Sequence, residues 1–452
     1  MKRIEEFDLV IKGGIIVHAN GFTSGDIFIR GGVIQGIGKR DSSLSARVID
    51  ASGKLILPGM IDAHLHPAYV DDFDSLSLSA AFGGVTTLIP FIRKGKESNL
   101  IDTLKCFREE GFSKSFLDFG FHGELTSDDD VSGLIPECMK MGVTSFKMFM
   151  AYPRRGLMFH EDRLLAAMEV LSDHGCLAMV HPENGVAIDY LENRSISRGE
   201  VSSQFFSKTR PNVLEAEAVY RAISLAKVAG CSLYLVHLSA KESMGPLRLL
   251  KDERVYAETC AQYLTLTDQE MITRGPLAKI APPLRERQDI DALWGAVTEG
   301  LIDTIGSDHA PYTPGMKGAP GGNIFDVPFG APGVETTLPV LYHEGVNQGR
   351  ITLCRLVQIM SERPAKIFGV YPKKGTIQDG SDADIVVFDP EWNWTIEAAN
   401  QHSNAHYSLF EGRNCMGRCI TVIQRGRVII QDLELKASHG NAQYLEGGLF
   451  VK

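Results

Sequence analysis

The stretch Pro58-Gly-Met-Ile-Asp-Ala-His64-Leu-His66 combines a short apolar run with two histidines at its end. Successive side chains of a β-strand point to opposite faces, so residues two positions apart lie on the same side. If the strand continues to its second histidine, the imidazoles of His64 and His66 can therefore reach one ion. The stretch predicts a buried strand that ends in a pair of metal ligands.

Seven further apolar runs follow in the middle of the chain, and longer amphipathic segments separate them. The eight predicted strands span residues 60–65, 85–91, 117–122, 144–150, 177–181, 233–237, 255–258 and 304–308. Predicted helices between them include residues 163–174, 213–229 and 287–299. Alternating strands and helices are typical of parallel βα units, and eight such units close a TIM-like (β/α)8 barrel. The predicted fold class is therefore α/β.

Both ends of the chain predict strands without long helices. Runs such as Phe7-Asp-Leu-Val-Ile-Lys12 and Ala383-Asp-Ile-Val-Val-Phe-Asp-Pro390 are short and rich in β-branched residues. Neither end has enough apolar residues for a core of its own. We therefore expect residues 1–57 and 371–452 to form one small β-sandwich domain beside a barrel domain of residues 58–370.

Polar residues recur where the predicted strands end. His181 ends the fifth strand, His237 ends the sixth and Asp308 ends the eighth. In a parallel barrel these strand ends meet on one face, where catalytic groups lie. A single histidine there is usually a hydrogen-bonded core residue, and a single aspartate can cap the next helix. Four imidazoles and a carboxylate at matched positions instead indicate a metal site.

Lys147 lies within the fourth predicted strand, in Ser145-Phe-Lys-Met-Phe-Met150. An ammonium group is costly to bury there unless it is paired or neutral. The side chain can pair with a carboxylate, extend to the barrel rim or stay a free amine. It can also react with carbon dioxide to give a carbamate, whose two oxygens can each bind a cation. The residues alone leave these alternatives open.

The overall composition limits the function classes. The 452 residues include 46 Lys and Arg and 56 Asp and Glu, a formal charge of −10, which disfavours nucleic acid and anionic membranes as partners. Acidic residues near the N-terminus argue against a secretory signal, and the chain has no apolar run of about 18 residues that could span a membrane. The eight cysteines form no Cys-x-x-Cys pair, which is typical of reduced thiols in a cytoplasmic protein.

The chain resembles the cyclic amidohydrolases of the amidohydrolase superfamily. The resemblance rests on residues 58–66, 145–152, 180–185, 236–239, 258–264, 306–311 and 374–387, which occur in family order. Within the superfamily, Asp71-Asp-Phe73, Phe149-Met-Ala-Tyr152 and Ser408-Leu-Phe-Glu-Gly412 are similar to the hydantoinase and dihydropyrimidinase branch.

The resemblance implies two divalent metal ions, usually zinc, a carboxylated lysine and a homo-oligomer, a tetramer or a dimer. The ligand set carried over by position is His64, His66, Lys147, His181, His237 and Asp308. In this set the first two histidines and the aspartate would hold one ion, and the other two histidines the second. Lys147, as N6-carboxylysine bound to carbon dioxide, would bridge the two ions.

The implied reaction is the hydrolytic opening of a cyclic amide or ureide by a hydroxide that the two metals share. Metal binding lowers the pKa of water from 15.7 to about 7. Asp308 would take the proton of this water and return it to the leaving ring nitrogen, and Tyr152 would donate to the substrate carbonyl. A small cyclic ureide of the hydantoin or dihydropyrimidine type would give an N-carbamoyl amino acid.

Some positions depart from the branch and keep alternatives open. Ala281 and Pro332 occupy substrate-contact positions where Ser and Asn are usual. The segments after residues 306 and 332 are closer to allantoinases, so hydrolysis of allantoin to allantoate is the nearest alternative. Dihydroorotases carry an arginine two residues after the histidine pair, where this chain has Ala68. A non-catalytic scaffold related to dihydropyrimidinase is disfavoured, because such scaffolds lose ligands that are complete here.

Overall fold

The computed structural model describes residues 7–39, 45–95, 98–319 and 321–450. Residues 1–6, 40–44 and 451–452 of the predicted terminal domain lie outside the described residues. The first part of the chain is β-structure, as expected from its β-branched runs. Its strands are β1 (Leu9–Lys12), β2 (Ile15–His18), β3 (Gly21–Ser24), β4 (Asp26–Arg30), β5 (Val33–Gly38), β6 (Val48–Asp50) and β7 (Leu55–Pro58).

The middle of the chain forms a curled parallel sheet. Its strands are β8 (Met60–Asp62), β9 (Val85–Leu88), β10 (Phe91–Arg93), β11 (Asp118–Phe119), β12 (His122–Glu124), β13 (Ser145–Phe149), β14 (Leu177–His181), β15 (Ser232–Leu235), β16 (Val255–Cys260) and β17 (Thr304–Gly306). Strands β10 and β12 to β17 pair in parallel in one sheet, and β8, β9 and β11 pair in parallel in another. Backbone hydrogen bonds join the segments that directly follow the first and the last of these strands, since His64 O accepts from Asp308 N at 2.8 Å and His309 O accepts from His66 N at 2.9 Å.

Helices cover the outside of this sheet, and further helices follow its last strand along the chain. They are α1 (Phe73–Phe82), α2 (Leu100–Lys114), α3 (Val131–Met139), α4 (Glu161–Asp173), α5 (Gly185–Ser197), α6 (Asn212–Ala229), α7 (Met244–Leu250), α8 (Glu270–Thr273), α9 (Arg287–Glu299), α10 (Pro314–Lys317), α11 (Thr337–Leu341), α12 (Leu353–Val357) and α13 (Arg363–Ile367). Helix α9 has the predicted bounds, because Glu286 and Asp289 form a capping box at its start and Gly300 ends it with φ 82°. Within the described residues, none of these helices has both the length and the apolar character needed to cross a bilayer.

The last part of the chain returns to the strands of the first part. It contributes β18 (Ile385–Thr395), β19 (Asn414–Gln424), β20 (Arg427–Gln431) and β21 (Glu434–Leu435) to a sheet of order β21-β20-β19-β18-β7-β2-β3. A second sheet of order β5-β4-β1-β6 packs against it. The two sheets share an apolar cluster that includes Ile11 and Ile27 from one, and Ile56, Ile385 and Ile423 from the other. The predicted division into domains at residues 57 and 371 stays a prediction.

The predicted strands were too long at several ends. The second strand is interrupted at Ile89-Pro90, since proline has no N–H to donate to a neighbouring strand. The third strand is also divided, and His122, which we expected to end it, begins β12 instead. Strands β8, β15 and β17 end at Asp62, Leu235 and Gly306. The predicted ligands of these three strands therefore lie in the segments that directly follow them.

Candidate active site

One cavity at the carboxyl ends of the parallel strands contains all six predicted ligands. It is lined by His64, His66, Lys147, His181, His237 and Asp308, together with Tyr69, Arg93, Phe149, Tyr152, Arg155, Leu157, Ala281, Ala310, Phe329 and Gly330. The six groups come from segments up to 244 positions apart (308 − 64 = 244). The fold therefore brings together the five side chains that the strand-end positions predicted and Lys147, which the family resemblance added.

The first part of the site, which we call the aspartate half, consists of His64, His66 and Asp308. One potential ligand atom of each residue lies within 4.8 Å of the others. Asp308 Oδ1 is 3.2 Å from His64 Nε2 and 3.7 Å from His66 Nε2. On the far side of the ring, His64 Nδ1 is 2.5 Å from Oε1 of the buried Glu258. A carboxylate at Nδ1 leaves Nε2 facing the cavity, as in metal sites where a carboxylate orients the histidine ligand.

The electrostatics of the aspartate half follow from burial of opposite charges. Burial alone would raise the pKa of Asp308, but the imidazoles of His64 and His66 hold it well below its usual value. Burial alone would lower the pKa of His64, but Glu258 and Asp308 raise it to about 9. Without a metal, His64 therefore carries a proton between two carboxylates, and a cation bound here would replace that proton.

The second part of the site, which we call the imidazole half, consists of His181 and His237. His181 Nδ1 is 2.8 Å from His237 Nε2, and His181 Nε2 is 2.7 Å from Oε2 of Glu183. Glu183 in turn accepts from Arg210 Nη1 at 2.6 Å. Burial lowers the pKa of His181 and lowers that of His237 well below its usual value, so both rings are neutral near pH 7. The buried Nδ1 of His237 has no hydrogen-bond partner among the described residues.

Lys147 lies between the two halves. Its Nζ is 4.6 Å from the ring centre of Phe91, which contacts His64, and 5.3 Å from that of Phe149, which contacts His181. Within the described part of the chain, no carboxylate forms a salt bridge with this amine, so a paired ammonium is not what the structure shows. Burial lowers the pKa of Lys147 to about 8, although Asp308 and Glu258 act in the opposite direction.

The predicted substrate-contact residues divide into two groups. Tyr152 and Ala281 line the cavity, and the ring of Tyr152 lies 5.0 Å from that of His181. Burial raises the pKa of Tyr152, so its hydroxyl stays protonated and can donate a hydrogen bond. Pro332 is buried but is not among the described residues that line the cavity, and a contact from it stays a prediction.

Four residues that line the cavity have strained backbone conformations. Tyr69, Tyr152, His237 and Asp308 all have positive φ, at 72°, 67°, 41° and 50°. Positive φ is unfavourable for residues other than glycine and recurs at functional sites that the surrounding fold holds in place. The strand periodicity could not reveal this feature, because it assumed extended backbone up to each ligand.

Sequence reasoning also missed the groups that orient the ligands. Glu258 ends the seventh predicted strand, so the strand-end signal that selected Asp308 could have selected it as well. Glu183 follows His181 by two residues, within the segment that resembles the family. Arg210, which pairs with Glu183, lies between two helical segments and had no local signal.

The donor set fits a divalent metal. Neutral imidazoles and an ionised carboxylate are the usual ligands of zinc and similar ions, and here they converge from both halves. Among the described residues, the two facing nitrogens of the imidazole half have no protein partner except each other. Such buried nitrogen atoms, with a carboxylate behind the ring of His181, are arranged as metal ligands are.

The curled parallel sheet and this ligand set define an α/β protein with a candidate metal site at its strand ends. The chain belongs to the Amidohydrolase family, whose model matches residues 55–429. The match includes every residue of the two halves and Lys147.

Three similar proteins show which members of this family the chain resembles. The D-hydantoinase of Rhizobium radiobacter is 38% identical over 440 residues, which are 94% of this chain and 95% of that protein. The crystal structure of dihydropyrimidinase from Brevibacillus agri NCHU1002 superposes with a TM-score of 0.94 at 34% identity, covering 98% of this chain and 99% of that one. The L-hydantoinase (dihydropyrimidinase) from Arthrobacter aurescens gives a TM-score of 0.92 at 31% identity, covering 97% and 99%.

Proposed function

We propose that this protein is a metal-dependent cyclic amidohydrolase that opens the rings of hydantoins and dihydropyrimidines. The product is the corresponding N-carbamoyl amino acid. The names of its relatives support the substrate class, since proteins called hydantoinase and dihydropyrimidinase match nearly the full chain. The observation that carries the proposal is the convergence of six metal-ligand candidates on one cavity.

Two divalent cations, with zinc as the expected metal, are held by the two halves. His64, His66 and Asp308 bind one, and His181 and His237 bind the other. When bound, the cations supply an acidified water and a Lewis acid for the ring carbonyl. The distances within each half support this assignment, as do the carboxylates behind His64 and His181.

Lys147 bridges the two halves as a carbamate. Its neutral Nζ attacks carbon dioxide, an N–C bond forms, and the proton that Nζ loses passes to solvent. The change converts a buried neutral amine into an anionic group beside two binding sites for cations. The support is the position of Nζ between Phe91 and Phe149, its burial, and the lack of a carboxylate partner in the described part of the chain.

The residues around the cavity perform the remaining steps. The protonated hydroxyl of Tyr152 donates to the carbonyl oxygen of the ring as negative charge develops there. Asp308 accepts the proton of the attacking water on a carboxylate oxygen and returns it to the ring nitrogen that leaves. Ala281 offers a small apolar surface on the cavity wall. A contact between Pro332 and the substrate stays a prediction.

We also infer the finer architecture and assembly. The eight parallel strands form a closed (β/α)8 barrel of residues 58–370, which the pairing of Leu65 with His309 supports. The sheets of residues 1–57 and 371–452 form a β-sandwich, which their common apolar cluster supports. The family resemblance supports a homo-oligomer, a tetramer or a dimer. The scattered cysteines support a cytoplasmic location.

A substrate panel with metal analysis of the same sample tests the function. Purified enzyme is given hydantoin, dihydrouracil and allantoin, and products are identified by the mass gain of one water. We expect two metal ions per chain, faster opening of hydantoin and dihydrouracil than of allantoin, and loss of turnover after chelation. Turnover of allantoin alone would support the allantoinase alternative, and no turnover at full metal loading would refute the proposal.

A further inference from the structure

Two adjacent arginines near the cavity have different surroundings. Arg154 forms a salt bridge with Asp189, with 2.5 Å between Nε and Oδ1. The guanidinium carbon of Arg155 instead lies 4.8 Å from the ring centre of Phe329 and 5.6 Å from that of Tyr152. Within the described residues, no carboxylate forms a salt bridge with Arg155. The first arginine is therefore neutralised locally, and the second is not.

Of the two arginines that line the cavity, Arg155 is the one whose charge is available to a ligand at the cavity mouth. Both it and Arg93 line the cavity, but Arg93 pairs with the buried Glu124. Arg155 is exposed, and the two rings beneath it belong to the cavity wall. A guanidinium that stacks on aromatic rings keeps its edge N–H groups free, and these match the two oxygens of a carboxylate.

The position of Tyr152 relates Arg155 to the bound substrate. The ring of Tyr152 contacts His181 on the metal side, at 5.0 Å, and Arg155 on the mouth side. If a cyclic ureide accepts a hydrogen bond from Tyr152 and its substituent extends to the exposed side of the cavity, that substituent lies within reach of Arg155. An anionic group on that substituent would meet an uncompensated cation.

We propose that Arg155 makes this enzyme prefer ring substrates whose exocyclic substituent carries a carboxylate. This inference rests on the proposed ring-opening function and names its substrate class more closely. Arg155 acts as a specificity-determining residue that binds the substituent and does not take part in the chemistry. Its effect falls on binding, so the preference appears mainly in KM.

The test compares two substrates that differ in charge and little in shape. Hydantoin-5-acetate carries the anion, and hydantoin-5-acetamide replaces it by a neutral amide of similar size. We expect the native enzyme to favour the acid in kcat/KM by about tenfold, as one charge-assisted hydrogen-bonded pair allows. In Arg155→Gln and Arg155→Met the ratio of acid to amide should fall to about one, and Arg155→Lys should retain part of it.

Two comparisons keep the outcome unambiguous. The acid-to-amide ratio is taken within each variant, so a general loss of folding or activity cancels. Arg154→Gln is the matched control and should keep the native ratio, since its charge is already paired with Asp189. A native ratio of one or less with good turnover of hydantoin overturns this inference and leaves the proposed function intact. No turnover of any ring at full metal loading refutes both.

Discussion

The two halves of the site differ in charge, although each is supported by a buried carboxylate. The aspartate half combines two imidazoles with Asp308, so it offers three ligands and one negative charge. The imidazole half offers two neutral rings and, within the described residues, no carboxylate of its own that faces the cavity. Glu183 lies behind His181 and is already neutralised by Arg210.

This difference indicates what the proposed carbamate of Lys147 would supply. Two neutral imidazoles hold a dication less well than a set with an anionic ligand, because the charge of the ion is left without compensation. An ammonium between the halves would repel both cations, and a neutral amine would add no charge. A carbamate would add one negative charge and two oxygens. One oxygen would complete the imidazole half, and the other would serve the aspartate half.

The largest expected effect comes from removing this bridge. Lys147→Ala should lower kcat/KM by at least about 10³-fold, roughly 4 kcal/mol of transition-state stabilisation, because the metal pair loses its common ligand. The truncated side chain leaves space for a small molecule. Acetate in the assay should restore part of the activity and of the metal content, since it returns a carboxylate to the gap.

Methylammonium is the control for this rescue. It is small enough to enter the same gap but has the charge of the unmodified lysine, so it should not restore activity. Rescue by the amine and not by acetate would contradict the carbamate and favour an unmodified lysine. Metal content measured on each sample separates loss of ions from loss of chemistry.

A smaller effect should distinguish the carboxylates behind the two halves. Glu258 accepts from His237 N at 3.0 Å as well as contacting His64, whereas Glu183 supports His181 alone. Glu258→Gln should therefore weaken the binding of both metal ions, and Glu183→Gln should weaken the binding of one. Loss of such a supporting carboxylate costs about 10–100-fold in metal affinity. Titration with a chelator, followed by metal analysis, measures how many ions leave at each step.

Glu192→Gln is the matched control for Glu183→Gln. Glu192 pairs with the same Arg210, at 3.1 Å, but does not touch His181. Glu192→Gln should change metal affinity little. A loss of metal affinity as large as that in Glu183→Gln would show that the effect comes from Arg210. If Glu258→Gln released a single ion, the two halves would be independent of each other.

The sequence could predict the candidate ligands because their signal is local. A histidine or aspartate where an apolar run ends, as at His181 and Asp308, can be recognised without knowing the rest of the fold. The parallel strands then bring these ends to one face. The class of fold and the site could therefore be predicted together, from one repeated pattern.

What the sequence could not predict depends on contacts that no local pattern encodes. Glu258 meets His64 across 194 positions, and such a pair is visible only once the strands are neighbours. The positive φ of His237 and Asp308 arises where the chain leaves its strand, a place that periodicity describes as extended. Pro90 could be read from the sequence. Whether a proline interrupts a strand, however, depends on whether its nitrogen faces a neighbouring strand.

The smallest expected effect concerns the acid stability of the aspartate half. His309, next to Asp308, donates through Nε2 to Asp71 at 2.9 Å, and Asp71 also accepts from Ser403 and Asn404. Burial would raise the pKa of Asp71, but these hydrogen bonds lower it to about 2. A carboxyl whose pKa is lower in the folded state stabilises the fold above its unfolded value of about 3.9, and this contribution is lost as the pH falls through about 2.

Asp71→Asn should therefore lower the free energy of unfolding by about 2 kcal/mol at neutral pH, and the difference from the native chain should vanish between pH 4 and pH 2. Urea unfolding at a series of pH values measures it, with the exposed Asp102→Asn as a control that changes stability little. The acid sensitivity that remains in the variant includes that of Glu183, whose pKa is also about 2 because Arg210 and His181 outweigh its burial. A constant difference down to pH 2 would show that the Asp71 carboxylate acts through packing alone. A difference that vanishes would show that an ionised Asp71 links the segment of Asp308 and His309 to Ser403 and Asn404.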